Sequence, residues 1–338
     1  MTTMRLQPDE DALAFSVAVR DLLSQACDAP ALRAAWDGRD GRIPGLWKRL
    51  AEMGVTGLVV PEKYDGAGLD LTGMVPVFAE AGRAALPEPL VETATAAALL
   101  TQAGGPTADE WLPRIAAGDA VVALGDGSPA LVTGGQWADL FLIGAGSGVR
   151  VLTRDDANVE PAPSIDPGVG LARVTATDGA GRVIDGADGA AAFDWACVAV
   201  AAELVGLAQA MLDRSVAYAK VREQFGKPIG SFQAVKHQLA DVFVATSFAV
   251  PVVHRAAWSV ARAAPTRSRD ASHAKHAAGR AAAQAARTAL QVHGGIGYTY
   301  ENDLHMWLKR TWSLTSQWGS TDWHKDRAAR LLLTDEER

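Results

Sequence analysis

The 338-residue chain has only two cysteines, Cys27 and Cys197, and they lie far apart. That excludes a disulfide framework and suits buried, reduced thiols. A basic surplus is also missing: 32 Lys and Arg stand against 39 Asp and Glu, a net charge of -7. No large cationic surface is left for nucleic acid phosphates, so a DNA or RNA partner is not expected. No run of about eighteen apolar residues stands free of charges, and no membrane role is expected. The opening MTTMRLQPDEDALAF has acids where a signal peptide would place its apolar stretch, which makes a cytoplasmic protein the expectation. What is present is a 49% hydrophobic content, over a length able to bury a substantial core.

Apolar spacing from Pro8 to Gly118 is mostly helical, as in DALAFSVAVRDLLSQA and PLVETATAAALLTQAG, and VPEKYDGAGLDL (59 to 70) reads as a long loop. Short β-type runs follow: AVVALG, ALVT, ADLFLIG, VRVLTR and LARVTA, separated by clusters such as GDGSP and GAGSG. Helical spacing then returns in long candidates at 196–221, 232–262, 270–292, 301–317 and 322–333. The expected fold is mainly α with a small β domain. It has an N-terminal helical domain at 1–118, a small β domain at 119–190 and a helical bundle at 191–338.

Two stretches carry chemistry. REQFGKPIGSFQ (222–233) puts a guanidinium, a side-chain amide and a phenyl ring between two helices, a set able to hold a pyrophosphate and stack on a flat ring. A plain helix-helix turn with Gly226 and Pro228 as breakers would account for it as well. QVHGGIGYTYE (291–301) has three glycines in four positions, which let a ligand approach the backbone, although a C-cap explains Gly294 and Gly295 too. His273 and His276 lie three apart on an expected helix, but no third ligand is placed with them, and no metal site is expected.

The order and spacing of the two stretches resemble the C-terminal domain of the acyl-CoA dehydrogenase family, in its R-x-x-F-G-x-x-I-x-x-F-Q and Q-x-x-G-G-x-G elements. VPEKYDGAGLDL and GRAALPEPLVET look like that family's N-terminal loop and helices. The resemblance implies FAD as cofactor, an acyl-CoA substrate and an acyl-CoA dehydrogenase fold. It implies that Arg222 and Gln224 contact the FAD pyrophosphate region of a neighbouring subunit, that Phe225 packs on the cofactor and that Gln233 reaches its adenosine part. Gln291, Gly294 and Gly295 would complete that site. For Arg222, a surface ion pair with Glu223 or Asp241 is the competing reading.

Departures from the family's pattern set the expected role. Where the family places a catalytic glutamate, gap-free counting from Gln291 gives Trp318; at the alternative position on the first bundle helix stands Ala196. No catalytic residue is expected in this chain apart from Glu203, a carboxylate among Ala, Val and Leu. The flavin-covering β elements are reduced to LGDGSP and ALVTGG. This pattern resembles one subunit of the heteromeric, α2β2 acyl-CoA dehydrogenases of actinobacteria, some of which act on steroid side-chain thioesters. That resemblance implies a second acyl-CoA dehydrogenase-like subunit bearing the base, and an electron-transfer flavoprotein or similar acceptor. A flavin monooxygenase or nitroalkane oxidase-like enzyme of the same fold, or a purely structural subunit, are the alternatives.

Overall fold

The computed structural model describes residues 8–38, 40–145, 148–184 and 186–336. Met1–Gln7 of the acidic opening, and Gly146 and Ser147 of the GAGSG stretch, lie outside the described residues. In chain order the helices are α1 (Glu10–Ala26), α2 (Ala29–Asp37), α3 (Leu46–Glu52), α4 (Leu71–Arg83), α5 (Leu90–Ala103) and α6 (Gly105–Ala116). They continue as α7 (Gly189–Val221), α8 (Gln233–Ala261), α9 (Arg267–His293), α10 (Leu304–Ser316) and α11 (Thr321–Glu336). The strands are β1 (Val122–Asp126), β2 (Ala130–Val132), β3 (Leu140–Ala145), β4 (Gly148–Thr153), β5 (Ala157–Pro161), β6 (Ala172–Ala176), β7 (Arg182–Ile184), β8 (Glu223–Gln224) and β9 (Lys227–Pro228).

The fold is mainly α with a small β region, as the sequence predicts. The chain divides into two units, each discontinuous in sequence. One comprises residues 30–74 and 87–196 and holds both larger sheets. In the first sheet the order is β1-β3-β4-β7, with β1 and β3 parallel and the other pairs antiparallel. In the second the order is β2-β6-β5, antiparallel throughout. The apolar runs predict β1, β2, β3, β4 and β6, of which β1 and β2 are edge strands with buried side chains. β5 and β7 escape the pattern because both are edge strands with mostly exposed or half-exposed side chains, and β5 ends in Pro161, which an edge tolerates.

The other unit comprises residues 1–29, 75–86 and 197–338 and carries the helices predicted for the bundle. Asp9 caps α1 by accepting from the Ala12 N–H at 2.7 Å, with Glu10 and Asp11 in the first turn to complement the helix dipole. Arg20 of α1 grips Glu80 of α4 through two hydrogen bonds of 2.8 and 2.6 Å. Between α4 and α7 the backbones nearly touch: a Cβ on Gly82 would sit 2.0 Å from the Glu203 carbonyl oxygen, and one on Gly206 would sit 1.9 Å from that of Ala79. Only glycine permits that approach. Along α9 a buried stripe of Ala271, Ala274, Ala278, Ala281, Ala282, Ala285 and Ala289 follows helical spacing and lets neighbouring helices come close.

By length and composition α7 and α8 are both long and apolar enough to cross a membrane. For α7 that apolar stretch is 89% buried within the protein, so its hydrophobicity serves the core. For α8 the figure is 28%, and Phe243, Val244 and Phe248 stand exposed. A face of that kind on a protein surface marks contact with another apolar surface.

Candidate cofactor site

α7 ends where the Arg222 N–H donates to the Tyr218 carbonyl at 2.9 Å. The chain then turns sharply. β8 and β9 pair with Gln224 opposite Lys227, leaving Phe225 and Gly226 as a two-residue tip. Both tip residues have positive φ, 56° and 77°, as a type I′ hairpin requires. Glycine adopts this freely; a phenylalanine there is strained, and such strain commonly accompanies function. The Phe225 ring is 92% exposed and meets Phe232 edge-on at 6.1 Å. Arg222, Gln224 and Gln233 are exposed beside it, with the Gln224 amide donating to the Glu223 carbonyl at 2.8 Å. Among the described residues, Arg222 forms no ion pair with Glu223 or Asp241, so its competing reading finds no support.

The second turn follows α9. Gly294, with φ 62°, caps that helix, and its N–H reaches the carbonyls of Gln291 and Leu290. The C-cap is therefore real, and it coexists with an open backbone: a Cβ at Gly294 or Gly295 would meet nothing within 4 Å. Gln291 is exposed on the same turn. His293 faces inward, its Nδ1–H donating to the Ala289 carbonyl at 2.8 Å and its ring stacked on Tyr218 at 4.4 Å between centroids. Tyr218 lies one helical turn before Arg222, so this stack joins the helix ends that bear the two stretches. The donor set fits a pyrophosphate-bearing cofactor such as FAD: an accessible guanidinium, amides from Gln224, Gln233 and Gln291, and an uncovered glycine backbone.

Neither expected base position carries a carboxylate. Ala196 is fully buried on α7, and Glu203 on the same helix is a buried carboxylate. Trp318 sits in the connection between α10 and α11 with φ 54°, followed by Gly319 with φ 98°. This connection is clamped from beneath. The Lys275 ammonium, fully buried in the alanine stripe of α9, donates to the carbonyls of Leu314, Thr315 and Gly319 at 3.0, 3.1 and 3.2 Å. It thus caps the C-terminal turn of α10, where a positive charge meets unpaired carbonyls. Burial pushes its pKa down to about 8. The Trp318 carbonyl accepts from His324 Nε2 at 2.8 Å, which assigns the proton to Nε2. Ser272 lies 3.2 Å from the other ring nitrogen and receives Arg327 at 2.9 Å. The sequence alone does not single out His324; for Lys275 the sign is a lysine at a stripe position in ASHAKHAA.

Burial, reinforced by the Lys275 charge, pushes the His324 pKa down to about 4 from an ordinary 6.5. A depressed histidine pKa means that the unfolded chain binds the proton first. Its contribution is intact above about pH 6.5 and is lost as pH falls toward 4. The loss should reach roughly 3 kcal/mol, and His324→Gln should flatten this part of the stability curve. Denaturant melts of both proteins between pH 4 and 7 check this; parallel curves would contradict it.

A family model described as acyl-CoA dehydrogenase, C-terminal domain, matches residues 189–333, and one described as acyl-CoA dehydrogenase, N-terminal domain, matches residues 9–119. The chain is 37% identical over 306 residues to acyl-CoA dehydrogenase IpdE2 of Mycobacterium tuberculosis, covering 90% of this chain and 92% of that protein. Among solved structures, a variant of the Tcur3481-Tcur3483 steroid ACAD aligns with a TM-score of 0.89 at 24% identity, over 97% of this chain and 99% of the other. The ChsE4-ChsE5 complex from Mycobacterium tuberculosis aligns with a TM-score of 0.87, also at 24% identity, over 98% and 99%.

Proposed function

The chain belongs to the acyl-CoA dehydrogenase family, oxidoreductases acting on CH–CH bonds, and on that premise we propose that it is the half-site subunit of a heteromeric enzyme. In this reading it works as an α2β2 complex with a second acyl-CoA dehydrogenase-like chain. Together they introduce an α,β double bond into a bulky acyl-CoA, of the steroid side-chain type. One observation carries the reading. The exposed turns that suit a cofactor's pyrophosphate are intact, while Trp318 and Ala196 stand where a base is expected. A chain retained for purely structural reasons has no need of those turns. The apolar face of α8 supports a partner, and two structures of the same fold are named as pairs of unlike chains, one of them as a steroid enzyme.

In the reaction so proposed, a carboxylate of the partner removes the α-proton while the β-hydrogen leaves as hydride. Bound FAD supplies the hydride acceptor, and an electron-transfer flavoprotein or similar protein then takes the electrons. This chain's residues bind and orient. With FAD bound, Arg222 would neutralise pyrophosphate charge across the subunit boundary with Gln224 beside it, Gln233 would reach the adenosine part, Gln291, Gly294 and Gly295 would complete the site, and Phe225 would pack on the cofactor. A charge-assisted contact of this kind contributes roughly 1.5 to 3 kcal/mol. Arg222→Ala should therefore weaken FAD retention by the purified complex about tenfold or more, read by equilibrium dialysis of the flavin. Unchanged affinity would remove the cofactor role from this turn.

A further inference from the structure

Tyr218 stacks on His293 between the two turns. Tyr218 lies on α7 and His293 ends α9, 75 positions later by their numbers. Their rings are nearly parallel, 20° apart, with centroids separated by 4.4 Å. Each ring is fixed to one of the turns. The Tyr218 carbonyl accepts the Arg222 N–H, and the Arg222 carbonyl in turn accepts the Ile229 N–H at 2.8 Å, which closes the hairpin. On the other side His293 directly precedes Gly294, and its Nδ1–H bond to Ala289 fixes the plane of the imidazole. Burial, with the Arg214 charge acting in the same direction, holds that ring below its ordinary pKa against the opposing hydrogen bond to the Ala289 carbonyl. Neither ring has an evident place in the chemistry of the reaction. Their common effect is geometric: they fix how far Arg222 stands from the Gly294–Gly295 backbone.

A bidentate or multi-point anion site gains affinity when its donors are already in place, because ordering them on binding costs free energy. We propose that Tyr218 and His293 are positioning residues that set the separation of the Arg222 turn from the Gly294–Gly295 turn, so that both reach one pyrophosphate-bearing ligand. The proposal rests on the cofactor role assigned above. Aromatic stacking contributes modestly by itself, so any effect on flavin binding is read as coupling with Arg222.

The test is a double-mutant cycle on FAD affinity in the purified complex of unlike chains, with FAD itself as probe and flavin release followed by fluorescence. Tyr218→Leu should weaken FAD three- to tenfold, and Tyr218→Phe, which keeps the stack, should stay within twofold of the parent. In an Arg222→Ala background, Tyr218→Leu should cost less than a further twofold, because the group it positions is gone. His293→Leu should behave in the same way, which covers the case in which one variant fails to assemble. A general structural role would give additive losses in both backgrounds and no rescue by phenylalanine, and that result overturns the proposal. If Arg222→Ala weakens FAD while the ring variants do not, the positioning role alone fails. Should Arg222→Ala leave FAD binding unchanged, the cofactor role and the positioning role fail together.

Discussion

Trp318→Glu in the complex of unlike chains should leave turnover at the parent level, whereas glutamine in place of the partner's catalytic glutamate should lower kcat by about a hundredfold to ten-thousandfold, with FAD still bound. The asymmetry follows from what holds the 318 connection. His324 grips the Trp318 carbonyl and Lys275 grips that of Gly319, and both hold backbone, not side chain. A glutamate introduced at 318 therefore keeps the connection's conformation, and its carboxylate leaves from the same Cα. If this chain lacks a flavin of its own, that carboxylate has no hydride acceptor opposite it. Steady-state assays of both variants with a CoA thioester distinguish the cases. New or increased turnover from Trp318→Glu would show a second complete site and overturn the half-site reading.

Lys275→Met should destabilise the protein by about 2 to 4 kcal/mol. Methionine fills most of the same space but leaves the carbonyls of Leu314, Thr315 and Gly319 buried without this donor, and each such loss costs about 1 to 3 kcal/mol. Relief from burying an ammonium offsets part of that sum. The pH dependence of this site has the sign set by a depressed lysine pKa. Between about pH 8 and the ordinary value of 10.5, the unfolded chain holds the proton more tightly, so the parent gains stability with rising pH in that window. The methionine variant lacks that rise. Urea melts of parent and variant at pH 7 and pH 10 measure both effects; equal stability at pH 7 would show that the three carbonyl contacts contribute nothing.

The parts of this protein legible in the sequence are those written in consecutive residues. REQFG announces a break between two helices through Gly226 and Pro228, but not the β8–β9 hairpin that makes it, because that hairpin needs a positive φ at Phe225, where the residue type gives no sign of one. QVHGG encodes a helix end. The long bundle helices declare themselves through alanine at i, i+3 and i+4. What stayed hidden depends on contacts between distant segments. Lys275 reads as an ordinary lysine until α10 presents its last carbonyls to it. Tyr218 and His293 are unremarkable apart, and meet only when α7 and α9 pack. β5 and β7 lacked the apolar alternation of strands buried on one face, because an edge strand with polar side chains has little to bury.

Flavin stoichiometry tests the central claim most directly. The complex of this chain with its partner, purified and denatured, should release one FAD per pair of chains, from flavin absorbance set against quantitative amino-acid analysis. A ratio near one FAD per chain would contradict the half-site account and make Glu203, the buried carboxylate of α7, the first residue to test as a base.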